Sequence, residues 1–269
     1  MVKVDYHTHN SRCGHASGGI EDYILSAIKQ GFTEIGISDH SPFFHLEQDF
    51  GLPGMVMAKS EFPSYIEECI KLKDKYKSQI KVRVGIEADF FEGQSHHYTD
   101  TLNDQPLDYI IGSIHYVNGV HIFDKSRWRD PDTDPVTAFN SYYDQMISLV
   151  KSDFCDIIAH PDAFLAFAPP IYDQCIEDKK EQLLSLIGEK NLTVEINTSG
   201  IRKYGEPFPK KETIKKLHQY GAVFTFGSDS HSPDEVGYEY DLVVNMIREI
   251  GVYEWAVFNG RKRSFLEIL

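Results

Sequence analysis

The amino-acid sequence predicts an α/β fold in which about seven strand–helix units follow one another. Short apolar runs that suit buried strands alternate with longer segments whose apolar residues recur at helical spacing. Strands that alternate with helices form parallel sheets with right-handed crossovers, and seven or eight such units most economically close into a barrel. An open, doubly wound sheet is the structural alternative. Polar residues directly follow the strands, and in a barrel the carboxyl ends of all the strands lie at one rim.

The size and composition of the chain suit one large α/β domain. The chain has 269 residues, of which 41% are hydrophobic, so it can bury a sizeable core. No linker, low-complexity stretch or break in composition divides it. We therefore expect a single domain over residues 1–269.

Charge, hydropathy and cysteine usage narrow the functional classes. The formal net charge of -14 would repel a phosphate backbone, so nucleic acid is not an expected partner. No apolar signal stretch opens the chain and no run of 18 apolar residues occurs, so we expect no membrane partner and a cytoplasmic location. The four cysteines lack C-x-x-C spacing, which argues against a disulfide framework and a zinc ribbon. The oligomeric state stays open.

The first strand leads into the motif V-D-Y-H-T-H at residues 4–9. His7 and His9 are two residues apart, so in an extended chain their side chains point to the same side. Turn-forming residues at 10–14 would bring His15 back to the same place. Three histidines without cysteine partners favour a catalytic metal site over a closed structural one.

The remaining units repeat this order. The first half continues with a helix at 20–28, a strand at 34–38 before Asp39 and His40, a loop to about 58, a helix at 60–76, a strand at 80–86 before Glu87, and a strand at 109–113 before His115. The second half has a helix at 136–151, a strand at 155–159 before His160, a helix at 177–189, a strand at 192–196, a helix at 211–220, a strand at 222–226 before Asp229 and His231, and a helix near 241–250. A short apolar piece at 255–258 and a basic turn at 261–263 follow.

The unusual residues share one position, just after a strand. Seven of the twelve histidines and two carboxylates fall there, namely His7, His9, His15, His40, Glu87, His115, His160, Asp229 and His231. These are too many ligands for one tetrahedral metal, but they suit two or three ions, with Glu87 as a bridge because a carboxylate has two oxygens. Three divalent ions, less two carboxylates and a hydroxide, leave a charge of roughly +3 that would attract a phosphate dianion. The pattern therefore indicates phosphate ester chemistry.

These residues resemble the ligand pattern of the polymerase and histidinol phosphatase (PHP) superfamily. The chain looks most like its monofunctional histidinol-phosphate phosphatases, through S-D-H-S-P (38–42), G-I-E-A-D (85–89), L-D-Y-I-I-G-S-I-H (107–115), N-T-S-G-I-R-K (197–203) and G-S-D-S-H-S-P (227–233). The resemblance covers nearly the whole chain. It implies a distorted (β/α)7, TIM-like barrel that holds three divalent metal ions. Histidine and carboxylate ligands accept zinc, iron or manganese, so the identity of the metals stays open.

The resemblance also implies how the ligands are shared. One ion would lie at His7, His9, Glu87 and Asp229, a second at His15, His40 and His231, and a third at Glu87, His115 and His160. Arg202 resembles the phosphate-clamping arginine of the family. The chain departs from the family where a second arginine is expected after His160, since the residues there are Asp162-Ala163-Phe164-Leu165.

The predicted function is hydrolysis of L-histidinol phosphate, a step of histidine biosynthesis, by a hydroxide that bridges two metals. Arg202 would hold the phosphoryl oxygens, and Asp229 or His231 would give the leaving group a proton through water. Phe43 and His45 are predicted substrate contacts; further candidates are Phe44, Asp89, His121, Asp162 and Glu206. Two alternatives stay open, a phosphatase for another small phosphomonoester or a nucleotide, and a metal-dependent scaffold.

Overall fold

The computed structural model describes residues 2–49, 54–170 and 173–268, so part of the loop predicted to end near 58 lies outside the described residues. The strands are β1 (Val4–Asp5), β2 (Glu34–Ile37), β3 (Lys81–Val84), β4 (Glu87–Asp89), β5 (Ile111–Ser113), β6 (Tyr116–Val117), β7 (Val120–His121), β8 (Ile157–Ile158), β9 (Thr193–Asn197), β10 (Val223–Gly227), β11 (Glu254–Asn259) and β12 (Lys262–Glu267). The α-helices are α1 (Ile20–Lys29), α2 (Phe62–Tyr76), α3 (Ser95–Leu102), α4 (Pro135–Lys151), α5 (Gln174–Glu189), α6 (Ser199–Tyr204), α7 (Lys211–Tyr220) and α8 (Tyr240–Ile250).

The strands that precede the candidate ligands form two parallel sheets. One sheet has the order β1-β2-β3, and the other has the order β10-β9-β8-β5-β4. Every pairing within them is parallel. Helices connect successive parallel strands, as such pairings require. The predicted α/β class with parallel strands is therefore confirmed.

Backbone contacts also link the two sheets to each other. On one side, the backbone N–H of Tyr6, which lies just beyond β1, donates to the carbonyl oxygen of Phe226 in β10 at 2.9 Å. On the other side, His40 forms a parallel bridge with Glu87, so the chain beyond β2 pairs with β4. The predicted strand at 80–86 is shorter in the structure, where β3 ends at Val84 and the separate strand β4, which belongs to the other sheet, begins at Glu87. The strand ends that carry candidate ligands consequently lie side by side.

The helices bury apolar faces against these strands. In α1, Ile20, Tyr23, Ile24 and Ala27 are buried at the three- and four-residue spacing of one helix face. In α4, the carboxylate of Asp134 caps the first turn by accepting hydrogen bonds from the backbone of residues 136 and 137. Within the described ranges, no helix is both long and apolar enough to cross a membrane.

Tyr109 fills the space between the first strands. Its hydroxyl donates to Tyr6 O at 2.7 Å. Two glycines make room for the ring, because a Cβ at Gly36 would lie 2.0 Å from Tyr109 Oη and one at Gly85 would lie 2.2 Å from Tyr109 Cζ. Tyr6 directly precedes His7, so this packing helps to fix the position of the first histidine.

Some elements were not predicted from the sequence. These are α3, the β6–β7 hairpin, the short α6 and the antiparallel pairing of β11 with β12. The predicted apolar piece at 255–258 lies within β11, where Trp255 is fully buried. β12 is mostly exposed and charged, so its sequence lacks the apolar pattern of a buried strand.

Candidate metal centre and its cleft

All nine predicted ligands meet above the carboxyl ends of the parallel strands. His9 is central among the imidazoles, because its ring centroid lies 4.3 Å from that of His40 and 4.2 Å from that of His231. His15, from the loop before α1, joins them with its Nε2 atom 2.9 Å from Nε2 of His231. Residues more than two hundred positions apart are thereby brought into one cluster.

Glu87 presents its two carboxylate oxygens to different imidazoles. Oε2 lies 3.2 Å from His7 Nε2, 3.6 Å from His9 Nε2 and 3.0 Å from His40 Nδ1. Oε1 lies 3.2 Å from His160 Nε2 and 3.6 Å from His115 Nε2. The side chain therefore has the arrangement that a bridge between metal ions requires.

Asp229 directs one oxygen into the cluster and the other away from it. Oδ1 lies 3.1 Å from His9 Nε2 and 3.8 Å from His7 Nε2. Oδ2 accepts hydrogen bonds from Ser199 Oγ at 2.9 Å and Asn197 Nδ2 at 3.3 Å. The backbone of Asp229 has a φ of +50°, an uncommon conformation for a residue with a Cβ that is often found at functional sites.

Several buried atoms of the cluster lack a hydrogen-bond partner among the described residues. They include His7 Nε2, His9 Nε2 and Glu87 Oε2, although each of these side chains is at most 1% exposed. A buried polar group without a partner costs about 1–3 kcal/mol. Imidazole nitrogens and carboxylate oxygens are ligands that zinc, iron and manganese accept. The donor set therefore fits divalent metal ions.

The ligand atoms form overlapping groups whose members lie within 4.8 Å of one another. The groups are His7, His9 and Asp229; His9, His40 and His231; His40, Glu87 and His115; and His9, Cys13 and Asp39. The first group is part of one set that the resemblance implies. In the second, His9 stands beside two ligands that the resemblance assigns to a different ion. The groups share members, so they could hold metal ions in one centre rather than in separate sites.

Three of the histidines are oriented by carboxylates that contact the ring nitrogen facing away from the cluster. His7 Nδ1 lies 2.6 Å from Glu195 Oε1, His9 Nδ1 lies 3.2 Å from Asp39 Oδ1, and His115 Nδ1 lies 2.9 Å from Asp89 Oδ1. Each contact leaves the Nε2 atom directed into the cluster, as is common for metal-binding histidines. Burial alone would lower the pKa of His7, but Glu195, Glu87 and Asp229 together raise it well above its usual value. Glu195 lies within the strand predicted at 192–196, and this role was not predicted for it.

We expect Glu195→Gln to weaken metal binding by about 10- to 100-fold, the usual effect of losing a carboxylate behind a metal-binding histidine. The amide keeps the size of the side chain but removes the charge that orients and polarises the His7 ring. Competition with a chelator of known affinity measures the change. Glu189→Gln, on the exposed side of α5, is the control and should bind metal like the unchanged protein. Equal metal affinity in both variants would show that Glu195 does not support the centre.

Three further ligands have pKa values shifted towards the deprotonated form that metal binding requires. Burial, together with repulsion from neighbouring histidines, lowers the pKa of His15 to about 4 and that of His231 to about 2. Burial would raise the pKa of Asp229, but Lys203 and nearby imidazoles lower it well below its usual value. Neither Asp229 nor His231 therefore holds a proton near neutral pH, which does not favour their predicted role as proton donors.

A cleft of about 440 Å³ opens over the cluster. Besides several of the ligands, its walls include His121, Phe123, Arg202, Lys203 and Glu235. Its volume is in the range of pockets that bind small molecules. His121 had been a candidate substrate contact, and Lys203 belongs to the motif at 197–203, whereas Glu235 had been missed.

The guanidinium of Arg202 is held at the edge of the cleft by the segment that also supplies Asp229. Nη2 lies 3.4 Å from Asp229 O and 3.5 Å from Glu235 Oε2, and the group stacks 4.9 Å from the ring centroid of Tyr238. The buried Nη1 has no hydrogen-bond partner among the described residues. Arg202 thus lines the cleft with a guanidinium whose donors are not all used by the described residues.

Phe43 and His45 are not part of the described lining of the cleft. Phe43 packs edge-on against Phe91, with ring centroids 5.5 Å apart. His45 Nδ1 lies 3.0 Å from the hydroxyl of Tyr98 in α3, a helix that was not predicted. Their substrate contacts stay predictions that this packing does not favour. Among the further candidates, Phe44, Asp162 and Glu206 are also absent from the described lining, whereas Asp89 and His121 are part of it.

Comparison with known proteins gives a consistent family and fold. The PHP domain family matches residues 5–199. A Schizosaccharomyces pombe protein named "Probable histidinol-phosphatase" is 29% identical over 271 residues, which cover 93% of this chain and 88% of that protein. The histidinol-phosphatase of Bacillus subtilis is 27% identical over 268 residues, or 90% of this chain and 98% of that one. The fold is similar to that of Lactococcus lactis histidinol phosphate phosphatase complexed with zinc, L-histidinol and phosphate (TM-score 0.80, 20% identity, 97% of this chain and 98% of the other).

Proposed function

Because the chain belongs to the PHP domain family, we propose that it is a metal-dependent phosphatase that hydrolyses L-histidinol phosphate to L-histidinol and phosphate. The observation that carries the proposal is the buried cluster of unpaired imidazole and carboxylate atoms beneath a cleft walled by Arg202. The substrate is chosen because similar proteins, such as that of Bacillus subtilis, are named histidinol-phosphatases. The similarity to that protein extends over nearly the whole length of both chains.

We propose that this cluster holds three divalent ions, of zinc, iron or manganese. Their ligands would be His7, His9, Glu87 and Asp229 for the first, His15, His40 and His231 for the second, and Glu87, His115 and His160 for the third. The separate imidazoles around the two oxygens of Glu87 support a bridging role. Divalent ions at such a site lower the pKa of bound water, from 15.7 to about 7 in the best case, and neutralise charge on a phosphoryl group.

The chain itself positions the phosphoryl group through Arg202. The guanidinium is held by the carbonyl oxygen of Asp229, the carboxylate of Glu235 and the ring of Tyr238. Nη1 has no partner among the described residues and would donate to a phosphoryl oxygen. A planar guanidinium is well suited to bind two oxygens of one phosphate. Because Asp229 also belongs to the cluster, the clamp and the metal ligands share one segment, and their separation is fixed by the loop after β10.

We further propose that residues 1–269 form one domain in which the parallel strands close into a distorted (β/α)7 barrel. Two observations support closure. Tyr6 N donates to Phe226 O at 2.9 Å between the chain after β1 and β10, and His40 bridges to Glu87 between the chain after β2 and β4. In such a barrel all the ligand-bearing strand ends would open on one rim.

The test of the proposed function compares L-histidinol phosphate with p-nitrophenyl phosphate and a nucleoside monophosphate on the metal-loaded protein. We expect kcat/KM for L-histidinol phosphate to be at least about 100-fold higher, because a site that pairs with polar substrate groups rejects analogues that lack them. Phosphate release at several substrate concentrations gives the constants. Equal constants for all three esters would favour a general phosphatase, and metal-loaded protein that hydrolyses none of them would favour a scaffold.

A further inference from the structure

Lys203 extends from α6 onto the wall of the cleft, one residue after Arg202. Its Nζ atom lies 3.3 Å from Ser199 Oγ, 3.8 Å from Asp229 Oδ2 and 4.6 Å from the centroid of the Phe123 ring. These contacts come from α6, from the loop after β10 and from the loop after β7. The ammonium therefore contacts three segments, while the side chain stays 34% exposed to solvent.

The ammonium of Lys203 is less closely paired than those of some other lysines, such as Lys73 and Lys211. Lys73 and Lys211 form direct ion pairs at 2.6 Å with Asp108 and Glu249. Lys203 is 3.8 Å from Asp229 Oδ2, which is beyond hydrogen-bond distance. Among the described residues Ser199 is its single hydrogen-bond partner, while an ammonium has three donors. Lys203 thus keeps donors available for a ligand.

The position of this charge in the cleft indicates the kind of ligand. Arg202 and Lys203 are the two arginine or lysine side chains in the described lining. Both belong to a chain whose formal net charge is -14, so paired cations on one wall are not expected from composition. An arginine offers a planar fork of donors, whereas a lysine offers a compact charge with rotatable donors. The two together suit an anion with several oxygens, such as a phosphate.

We propose that Lys203 donates to the phosphoryl group of the substrate, as a second cationic contact beside Arg202. This inference rests on the proposed phosphatase function. When phosphate binds, Lys203 would exchange part of its contact with Asp229 for a phosphoryl oxygen, while Ser199 and Phe123 keep the side chain in place. The same contact would bind inorganic phosphate as a product, which allows Lys203 to be tested without turnover.

The experiment measures inorganic phosphate binding to metal-loaded protein by calorimetry, for the unchanged chain, Lys203→Met and Lys203→Arg. We expect Lys203→Met to weaken phosphate binding by about 10- to 100-fold, the range for losing a hydrogen bond to a charged group. Lys203→Arg should recover most of the affinity, because it restores a cationic donor. KM for a phosphomonoester should rise and kcat should fall, with metal content by elemental analysis unchanged.

Lys210→Met is the matched control, because the Lys210 ammonium contacts Tyr204 and lies outside the described lining of the cleft. It should bind phosphate like the unchanged protein. Phosphate affinity of Lys203→Met within twofold of the unchanged protein would overturn the proposal. Loss of metal in Lys203→Met would also overturn it, since Lys203 would then serve to support Asp229. Turnover by the unchanged protein tests the proposed function separately from these binding measurements.

Discussion

Glu87→Gln is expected to lower kcat by roughly a thousandfold and to reduce the amount of bound metal. Glutamine has nearly the shape of glutamate, but it offers one acceptor oxygen and an N–H₂ donor in place of the second. The imidazoles of His160 and His115 face one oxygen, and those of His7, His9 and His40 face the other, so one set would lose its shared ligand. Metal ions supply several kcal/mol of transition-state stabilisation, and each 1.36 kcal/mol is about tenfold in rate.

Phosphate release at saturating substrate and elemental analysis of the same samples measure these two effects. Glu92→Gln is the control, because Glu92 is exposed and accepts a hydrogen bond from Ser148 outside the cluster. Circular dichroism establishes that both variants fold. A folded Glu87→Gln protein that keeps its metal and turns over within tenfold of the unchanged chain would exclude a bridging role for Glu87.

The position of the candidate site could be predicted from the sequence because it depends on two local rules. Residues two apart on a strand share a side, and the carboxyl ends of parallel strands share an edge. His7 and His9 follow the first rule, and their approach to Asp229 follows the second. The way the ligands divide into groups could not be predicted, because it depends on packing between segments. His9 lies 4.2 Å from His231 and 4.3 Å from His40 by ring centroids, and no spacing in the sequence encodes those distances.

The walls of the cleft were harder to predict because they come from irregular segments. His121 and Phe123 are placed there by the β6–β7 hairpin, whose turn contains Asn118 at a φ of +53° and Gly119 at +76°. An Asn-Gly pair is a strong hairpin signal, so this element could have been found. The packing of Phe43 and His45 had no comparable signal, since it depends on tertiary contacts of both residues with Phe91 and of His45 with Tyr98 in α3.

Glu195 illustrates a signal that could have been used. A carboxylate within the apolar strand β9 is 1% exposed, and such a buried charge needs a partner. Its partner is His7, nearly two hundred residues earlier in the chain. The sequence indicated that a partner must exist, but the choice of His7 depends on the contact that the fold makes between β10 and the chain just beyond β1.

Removal of metal is expected to abolish turnover and to lower the melting temperature. Stripping would leave buried atoms of His7, His9 and Glu87 without partners. Each ion present at a hundredfold excess over its Kd stabilises the folded chain by about 2.7 kcal/mol. For a chain of this size, about 1 kcal/mol corresponds to roughly 2–4 °C, so loss of even one such ion should shift the melting temperature by at least about 5 °C. Dialysis against a chelator, followed by calorimetry and a phosphate-release assay, measures both effects.

Refilling with zinc, manganese or iron should restore turnover, and elemental analysis should then find about three ions per chain if the ligands are shared as proposed. His160→Asn should lower this number, because it removes a ligand from the Oε1 side of Glu87. His218→Asn is the matched control, because His218 is exposed on α7, away from the cluster. One ion per chain in the fully active protein would be incompatible with a bridging carboxylate, since a bridge requires two ions. Equal metal content in the His160 and His218 variants would place the third ion elsewhere.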